Sequence, residues 1–144
     1  MTQLSGNQWQ GRTLVPGTAS GAALVLSEPL SFWGGMDVAT GRIIDQQHPQ
    51  VGEVLSGRVL MMPAGRGSSS SSSVLAEAIY AGTAPAAIIL TEADVIVALG
   101  AMVAAELYAL QCPVVVVPTP LSVDDGLTLV VQATATMAII TGLV

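Results

Sequence analysis

Two apolar runs in the second half of the chain constrain its fold more than any other feature of the sequence. The runs AAIILTE at 86–92 and CPVVVVP at 112–118 consist mainly of apolar residues, as strands do when both faces of their sheet are covered. Between them, Ala93–Leu110 predicts a helix with Asp94 near its start, and a shorter helix is predicted over Val74–Ala81. Strands and helices alternating in this order predict a parallel sheet with right-handed crossovers.

The remainder of the chain predicts strands and turns. Short apolar runs between turn signals predict further strands at Arg12–Val15, Ala22–Leu26, 41–45 and 57–63, and TLVVQ and MAIIT near the C-terminus predict a final hairpin. The segment PLSFWGGMD, with its proline and paired glycines, predicts a loop. We therefore expect an α/β protein with a single β/β/α domain over residues 1–144, in which residues 1–10 are loosely ordered.

Charged side chains are scarce in this sequence. Of its 144 residues, 10% are charged and 51% are hydrophobic, and the net charge is −6. The only basic side chains besides the single histidine are four arginines: Arg12, Arg42, Arg58 and Arg66. Nucleic acids and anionic membrane surfaces are bound by clustered Lys and Arg, so the composition argues against both partners. The apolar excess predicts a surface covered by a partner chain, with a core rich in Ala and Val as the alternative.

The single cysteine and the single histidine offer little chemistry. Cys112 cannot form an internal disulfide or hold a metal or iron–sulfur cluster alone, and its position before a buried strand predicts a small buried side chain. His48 lies in a polar segment that we expect to be exposed. The first twelve residues lack the pattern of a signal peptide, and Leu127–Val144 contains four threonines and a glutamine, which favours strands over a membrane span. A cytosolic protein is predicted.

Six consecutive serines at 68–73 follow the glycines Gly65 and Gly67. A Ser-rich run usually indicates a linker, but the helix that follows leaves no room for a second domain. The run is predicted at the carboxyl end of a strand and the start of a helix, where α/β sheets bind ligands. Glycines let the backbone approach a ligand, and amides at a helix N-terminus can bind a carboxylate or phosphate or stabilise an oxyanion. The alternative is a helix cap in low-complexity sequence.

Two well-known kinds of site do not fit this run. No lysine follows the glycines, as a phosphate-binding P-loop requires. The only histidine, His48, lies well before the run, so a Ser-His-Asp arrangement within this chain is not expected.

The motif Gly65-Arg66-Gly67-Ser68-Ser69 resembles the G-x-G-S-S loop of the swivelling domain in the aconitase superfamily. More closely, the chain resembles the small subunit of aconitase X in five stretches: SEPLSFWGGMD (27–37), TGRIID with HP and GE (40–53), GRVLMMPAGRGSSSSS (57–72), VLAEAIYAGTAPAAIIL (74–90) and CPVVVV (112–117). The resemblance implies a swivelling β/β/α domain that closes over the active site of a separate aconitase X large subunit. It also implies an iron–sulfur cluster ligated by the large subunit, and a hydro-lyase that removes water from a small hydroxy acid.

The same resemblance implies roles for individual residues. Ser68 matches the catalytic base, which removes the α-proton of the substrate as an alkoxide. The amides from Gly65 to Ser70 would hold a substrate carboxylate and steady the alkoxide, which implies substrate-binding positions at Gly65, Arg66, Gly67, Ser69 and Ser70. Ordinary aconitases have an arginine where this chain has Ser70. The ligand is therefore expected to carry fewer carboxylates than citrate or to find its cation elsewhere, and Arg66 is one candidate.

The resemblance leaves two substrates open. Bacterial members resemble cis-3-hydroxy-L-proline dehydratases, and archaeal members resemble mevalonate 5-phosphate dehydratases. The chain has four arginines and no lysine, so it offers few cations to bind a phosphate group. This favours dehydration of cis-3-hydroxy-L-proline to Δ1-pyrroline-2-carboxylate. An alternative function is that of a non-catalytic adaptor that binds an anion. A phosphohistidine carrier is another, although His48 is far from the loop in sequence.

Three residues of the segment PLSFWGGMD are candidates for binding roles. Phe32 and Trp33 are interpreted as an interface anchor, with packing against their own sheet as the alternative. Asp37 is expected either to position a substrate group or to cap a turn.

Overall fold

The structure, a computed structural model, describes residues 3–5, 7–65, 67 and 69–143. Among these residues the strands are β1 (Gln3–Ser5), β2 (Gln8–Val15), β3 (Gly17–Val25), β4 (Val59–Met62), β5 (Ala87–Leu90), β6 (Val114–Val116), β7 (Thr128–Ala133) and β8 (Ala138–Leu143). The helices are α1 (Phe32–Gly35), α2 (Ser71–Ala81) and α3 (Val95–Tyr108).

Two long strands, β2 and β3, each belong to two sheets. The first half of β2 pairs antiparallel with β8, and its second half pairs with β6. The first part of β3 pairs antiparallel with β7, whereas its last residues pair parallel with β4. Strands β4, β5 and β6 run parallel, as the sequence predicted. The ring β2-β6-β5-β4-β3-β7-β8 therefore closes on itself, which protects its strands from edge-to-edge association.

The alternation of side chains along the parallel strands builds two cores. Leu60 of β4 and Ile88 of β5 point toward the helices, where they pack with Leu75 of α2. Met61 and Ile89, one residue further along each strand, point toward the opposite sheet. The layers are sheet, sheet and helices, so the predicted β/β/α architecture is confirmed.

Several strands and helices differ from their predicted limits. Strand β3 begins at Gly17, five residues before the predicted strand at Ala22–Leu26, because residues 17–21 pair residue by residue with β7. Residues 8–10, expected to be loosely ordered, are held in β2 by β8. The strand predicted at 41–45 is wrong, since Arg42 and Ile43 make only isolated bridges. Residues 127–144 contribute β7 and β8 as predicted, and no helix in the described part of the chain is long and apolar enough to cross a bilayer.

The second half of the serine run is helical. Helix α2 begins at Ser71, three residues before the predicted start, so the last three serines form its first turn. The hydroxyls of Ser72 and Ser73 donate to the carbonyl oxygens of Ser69 and Ser70, at 3.0 Å each. Such short side-chain bonds to the preceding backbone satisfy these hydroxyls locally. Residues 69–73 therefore form an ordered entry to a helix and not a linker.

The two long helices approach most closely at Gly100 of α3. A Cβ at this position would lie 2.6 Å from the carbonyl oxygen of Ser72 and 3.1 Å from the Cβ of Leu75. We expect Gly100→Ala to push α2 and α3 apart and to lower the free energy of unfolding by about 1–3 kcal/mol, although alanine is the better helix former. Denaturant unfolding measures this change. Gly67→Ala is the control, since its Cβ would meet no atom within 4 Å. Equal stability of Gly100→Ala and the wild type would contradict the close packing.

Candidate active site at the Gly/Ser loop

The Gly/Ser loop, residues 63–70, joins the end of β4 to the start of α2. It therefore leaves the carboxyl end of the parallel strands, the edge at which α/β proteins bind ligands. Two residues predicted to act here, Arg66 and Ser68, lie outside the described residues. The surroundings of the loop are described on both of its sides.

Asp94 braces the loop on the side of α3. Its Oδ1 accepts hydrogen bonds from the N–H groups of Ile96 and Val97, at 3.0 and 3.1 Å, and so caps the helix. Its Oδ2 accepts the N–H of Gly65 at 3.0 Å. A Cβ on residue 65 would lie 2.6 Å from the same oxygen, so the contact requires glycine. The Gly65 amide, predicted to contribute to substrate binding, thus donates to Asp94.

Ser71 braces the loop on the side of α1. Its buried hydroxyl accepts the N–H of Trp33 at 3.2 Å and lies 3.2 Å from the hydroxyl of Ser31. Because Ser31 donates its own proton to the carbonyl oxygen of Trp33, Ser71 is the donor in the pair of hydroxyls. A parallel bridge between Leu30 and Gly65 adds a second attachment. The segment before α1 is thus fixed against the loop and the first turn of α2.

The exposed part of the loop is open to a ligand. Gly67, Ser69 and Ser70 are exposed, and a Cβ on Gly67 would meet no atom within 4 Å. Ser70 immediately precedes α2, so the amides of the following turn lie at the positive end of the helix dipole. This arrangement suits a carboxylate or another small anion.

Two of the three described arginines have hydrogen-bond or ion-pair partners within the chain. Arg58 donates to the carbonyl oxygen of Ala23 at 2.7 Å and forms ion pairs with Glu53 and Asp125, and Arg42 donates to the carbonyl oxygen of Gly52 at 2.8 Å. Within the described residues, the guanidinium of Arg12 has neither an ion pair nor a hydrogen bond. Arg12 is exposed and lines an open groove of about 730 Å³ with Thr91, Glu92 and Ala93. Ala93, in the lining of that groove, directly precedes Asp94. The groove therefore lies next to the hydrogen bond between Asp94 and Gly65, which we call the loop tether.

A second cavity lies at the mouth of the strand ring. It has a volume of about 240 Å³ and is lined mainly by apolar side chains, among them Met61, Ile89 and Leu121. Its rim includes Pro63, the first residue of the Gly/Ser loop. A charged substrate would find few polar partners there, so this cavity does not serve as an anion site.

His48 is buried, contrary to the exposed position expected for it. Its Nδ1 accepts the N–H of Gln50 at 3.0 Å, which leaves Nε2 to donate to the carbonyl oxygen of Glu28 at 3.1 Å. Both ring nitrogens are therefore used in holding its own loop. Gln46, Gln47 and Pro49 around it are exposed as expected, so His48 is the residue of this segment that turns inward.

Asp37 and the two aromatic residues receive separate roles. Asp37 caps a turn, since its carboxylate accepts the Ala39 N–H at 3.1 Å and the Thr40 hydroxyl at 3.0 Å. Phe32 is buried in the core, whereas Trp33 is 58% exposed. Trp33 alone thus retains the character of an interface anchor, and it lies beside the Gly/Ser loop.

The residues of this chain do not fit an iron–sulfur cluster. Cys112 is buried, and its thiol donates to the carbonyl oxygen of Pro85 at 3.5 Å. Burial raises the pKa of this thiol from 9.0 to about 12, which disfavours the thiolate that a metal requires. The described residues also contain no group of three His, Cys, Asp or Glu side chains that could hold a metal ion.

Cys112 is expected to be inert in the folded protein. With its pKa near 12, about one thiol in ten thousand is ionised at pH 8, and burial blocks access as well. Iodoacetamide at pH 8 should leave the native chain unmodified and alkylate it within minutes in 6 M guanidinium chloride. Mass spectrometry measures the modification. Rapid alkylation of the native chain would contradict the buried position.

Comparisons with known proteins place this fold and loop in one family. Residues 8–140 match the family model described as the aconitase X swivel domain. The chain is 53% identical over 103 residues to the cis-3-hydroxy-L-proline dehydratase of Pseudomonas aeruginosa, which covers 72% of this chain and 18% of that protein. It is 47% identical over 93 residues to the phosphomevalonate dehydratase small subunit of Methanothermobacter thermautotrophicus, which covers 65% of this chain and 71% of that subunit.

A solved structure agrees with the architecture. The crystal structure of Thermococcus kodakaraensis aconitase X in its holo-form superimposes with a TM-score of 0.82 at 32% identity, covering 96% of this chain and all of that one. The family match extends over both sheets and α2 and α3, including the Gly/Ser loop. The chain therefore belongs to the aconitase X swivel-domain family.

Proposed function

We propose that this chain is the small subunit of a hydro-lyase that dehydrates cis-3-hydroxy-L-proline to Δ1-pyrroline-2-carboxylate, in the cytoplasm and in complex with a large subunit. The observation that carries the proposal is the 53% identity to the Pseudomonas aeruginosa dehydratase. The chain matches only 18% of that protein. The proposal assigns the remainder of the catalytic unit to a separate large subunit, because other similar proteins are named small subunits. All of residues 1–144 are assigned to one swivelling domain.

In this proposal Ser68 removes the proton from the α-carbon of the substrate. The electrons of the C–H bond form a double bond between C2 and C3, and the hydroxyl on C3 leaves with its bonding electrons. The leaving hydroxide and the proton held by Ser68 together account for the water released, and Ser68 returns to the alkoxide. The resulting enamine tautomerises to the cyclic imine. Ser68 serves as a base only as an alkoxide, and a free hydroxyl is far too weak an acid to ionise unaided, so backbone donors must stabilise the charge.

The exposed part of the loop supplies those donors and the room for a ligand. Ser69, Ser70 and the amides entering α2 are assigned to the substrate carboxylate and the alkoxide, and Gly67 leaves space for the ring. Gly65 acts through its bond to Asp94, which holds the loop in position. Ser71 has the same positioning role on the other side.

The iron–sulfur cluster of the proposed enzyme belongs to the large subunit. Cys112 is buried and protonated, and nothing in the described part of this chain provides a set of ligands. The proposal therefore assigns to this chain the base and part of the carboxylate site, and no step that involves the cluster.

The available cations favour an amino acid over a phosphorylated substrate. Arg42 and Arg58 are engaged within the chain, which leaves Arg12 among the described arginines, in the groove next to the bond between Asp94 and Gly65. By sequence, the loop itself contains Arg66. A single carboxylate needs one such cation, whereas a substrate that carries a phosphate dianion in addition to its carboxylate needs more. Mevalonate 5-phosphate remains the second candidate, because small subunits of phosphomevalonate dehydratases are also similar to this chain.

Turnover of the two substrates by the purified complex tests the proposal. The complex should form Δ1-pyrroline-2-carboxylate from cis-3-hydroxy-L-proline and leave mevalonate 5-phosphate unchanged. Dehydration of mevalonate 5-phosphate alone would reverse the assignment. An intact, cluster-containing complex that turns over neither substrate would favour an anion-binding adaptor.

A further inference from the structure

Helix α3 carries an uncovered apolar face next to the Gly/Ser loop. Val95, Leu99 and Met102 are spaced at i, i+4 and i+7, so they lie on one side of the helix. They are 79%, 47% and 52% exposed. We call these three residues the α3 face. An amphipathic helix on a soluble domain normally presents polar side chains at such positions.

A groove runs between the α3 face and strand β2. It has a volume of about 280 Å³, and its walls are Leu14 of β2 with Ala93, Val95, Ala98, Leu99 and Met102. The helix has no charged side chain between Val95 and Ala105. A partner that covers this groove would bury mainly apolar side chains, because the one charged group in its lining, the Asp94 carboxylate, already accepts hydrogen bonds from Gly65, Ile96 and Val97.

The groove is continuous with the proposed active site. Its lining includes Asp94, whose Oδ2 accepts the N–H of Gly65 in the Gly/Ser loop. Val95 is the next residue in the chain. A protein that reaches the loop to complete the active site therefore comes within one residue of the α3 face. On the opposite side of the loop lies Trp33, whose backbone N–H donates to the Ser71 hydroxyl and whose side chain is exposed.

We infer that the α3 face is where the large subunit of the proposed enzyme docks. In the Pseudomonas aeruginosa relative the matched segment is 18% of the protein, so most of that protein lies outside this domain and must contact it beside any shared site. The expected counterpart is an uncharged apolar ridge that fills the groove between β2 and α3. The inference depends on the proposed function only for the identity of the partner.

The test measures binding without turnover. Leu99→Asp places a charge at the centre of the α3 face, and calorimetric titration of the purified large subunit should give a dissociation constant at least about thirtyfold higher than that of the wild type. Leu107→Asp is the matched control. Leu107 is a leucine of the same helix, is 67% exposed and lies beyond the groove, so its variant should bind within about threefold of the wild type. Unfolding curves verify that both variants fold.

Three results would overturn the inference. The first is that Leu99→Asp binds the large subunit as tightly as the wild type, and the second is that Leu107→Asp loses as much affinity as Leu99→Asp. The third is a homodimer of this chain that Leu99→Asp dissociates while binding to the large subunit is unchanged, which would assign the face to a second copy. A wild-type complex that depends on Leu99 but does not dehydrate hydroxyproline supports the interface and contradicts only the proposed function.

Discussion

Ser68→Ala in the assembled complex is expected to lower kcat for dehydration of cis-3-hydroxy-L-proline by about 10²–10⁴-fold, the usual contribution of a general base. The methyl group of alanine cannot take up the α-proton, whereas binding of the substrate carboxylate by the neighbouring amides should persist. KM is therefore expected to change much less than kcat. Imine formation, followed at saturating substrate, measures the effect.

Ser73→Ala is the matched control for this variant. Ser73 belongs to the same serine run, but its hydroxyl donates to the carbonyl oxygen of Ser70 within the first turn of α2. Its removal should leave kcat within about twofold. If Ser68→Ala retained activity within about tenfold of the wild type, the base would have to be another residue.

Asp94→Asn is expected to lower kcat by about tenfold to a hundredfold while leaving the fold stable. Asparagine caps helices as well as aspartate does, so its Oδ1 can keep the bonds to Ile96 and Val97. Its Nδ2 replaces the oxygen that accepts the Gly65 N–H, and two donors then face each other. The loop is released, and small displacements of a catalytic group are costly.

The role of Asp94 as a positioning residue has readouts that a purely structural role would not change. Amide exchange at Gly65 should become faster in Asp94→Asn, whereas the unfolding free energy should stay within about 0.5 kcal/mol of the wild type. Glu106→Gln, an exposed neutralisation on the same helix, is the control for the lost charge. An unchanged kcat in Asp94→Asn would show that the hydrogen bond between Asp94 and Gly65 is not needed for turnover.

Local sequence pattern was sufficient for the parallel half of the fold. The apolar runs that became β5 and β6 and the helix between them carry their signal within a few residues, because burial on both faces excludes polar side chains. The start of β3 was missed for the opposite reason. Residues 17–21 are typical of a turn, and only pairing with β7, more than a hundred residues later, makes them a strand.

The supports of the candidate site were also beyond the reach of local pattern. Asp94 was expected near a helix start, but its bond to Gly65 joins residues that are 29 apart in sequence. Ser71 appeared as one of six identical serines, and only its burial against Ser31 and Trp33 distinguishes it. His48 looked like a surface residue because its partners are backbone groups, which no side-chain pattern reveals.

The most direct test of the central claim is the dehydratase activity of the purified large subunit, measured with cis-3-hydroxy-L-proline as this chain is titrated into it. The account predicts no imine formation by the large subunit alone, and a rate that rises with added chain until it saturates. A large subunit that forms the imine equally fast without this chain would contradict the claim that the chain supplies the catalytic base.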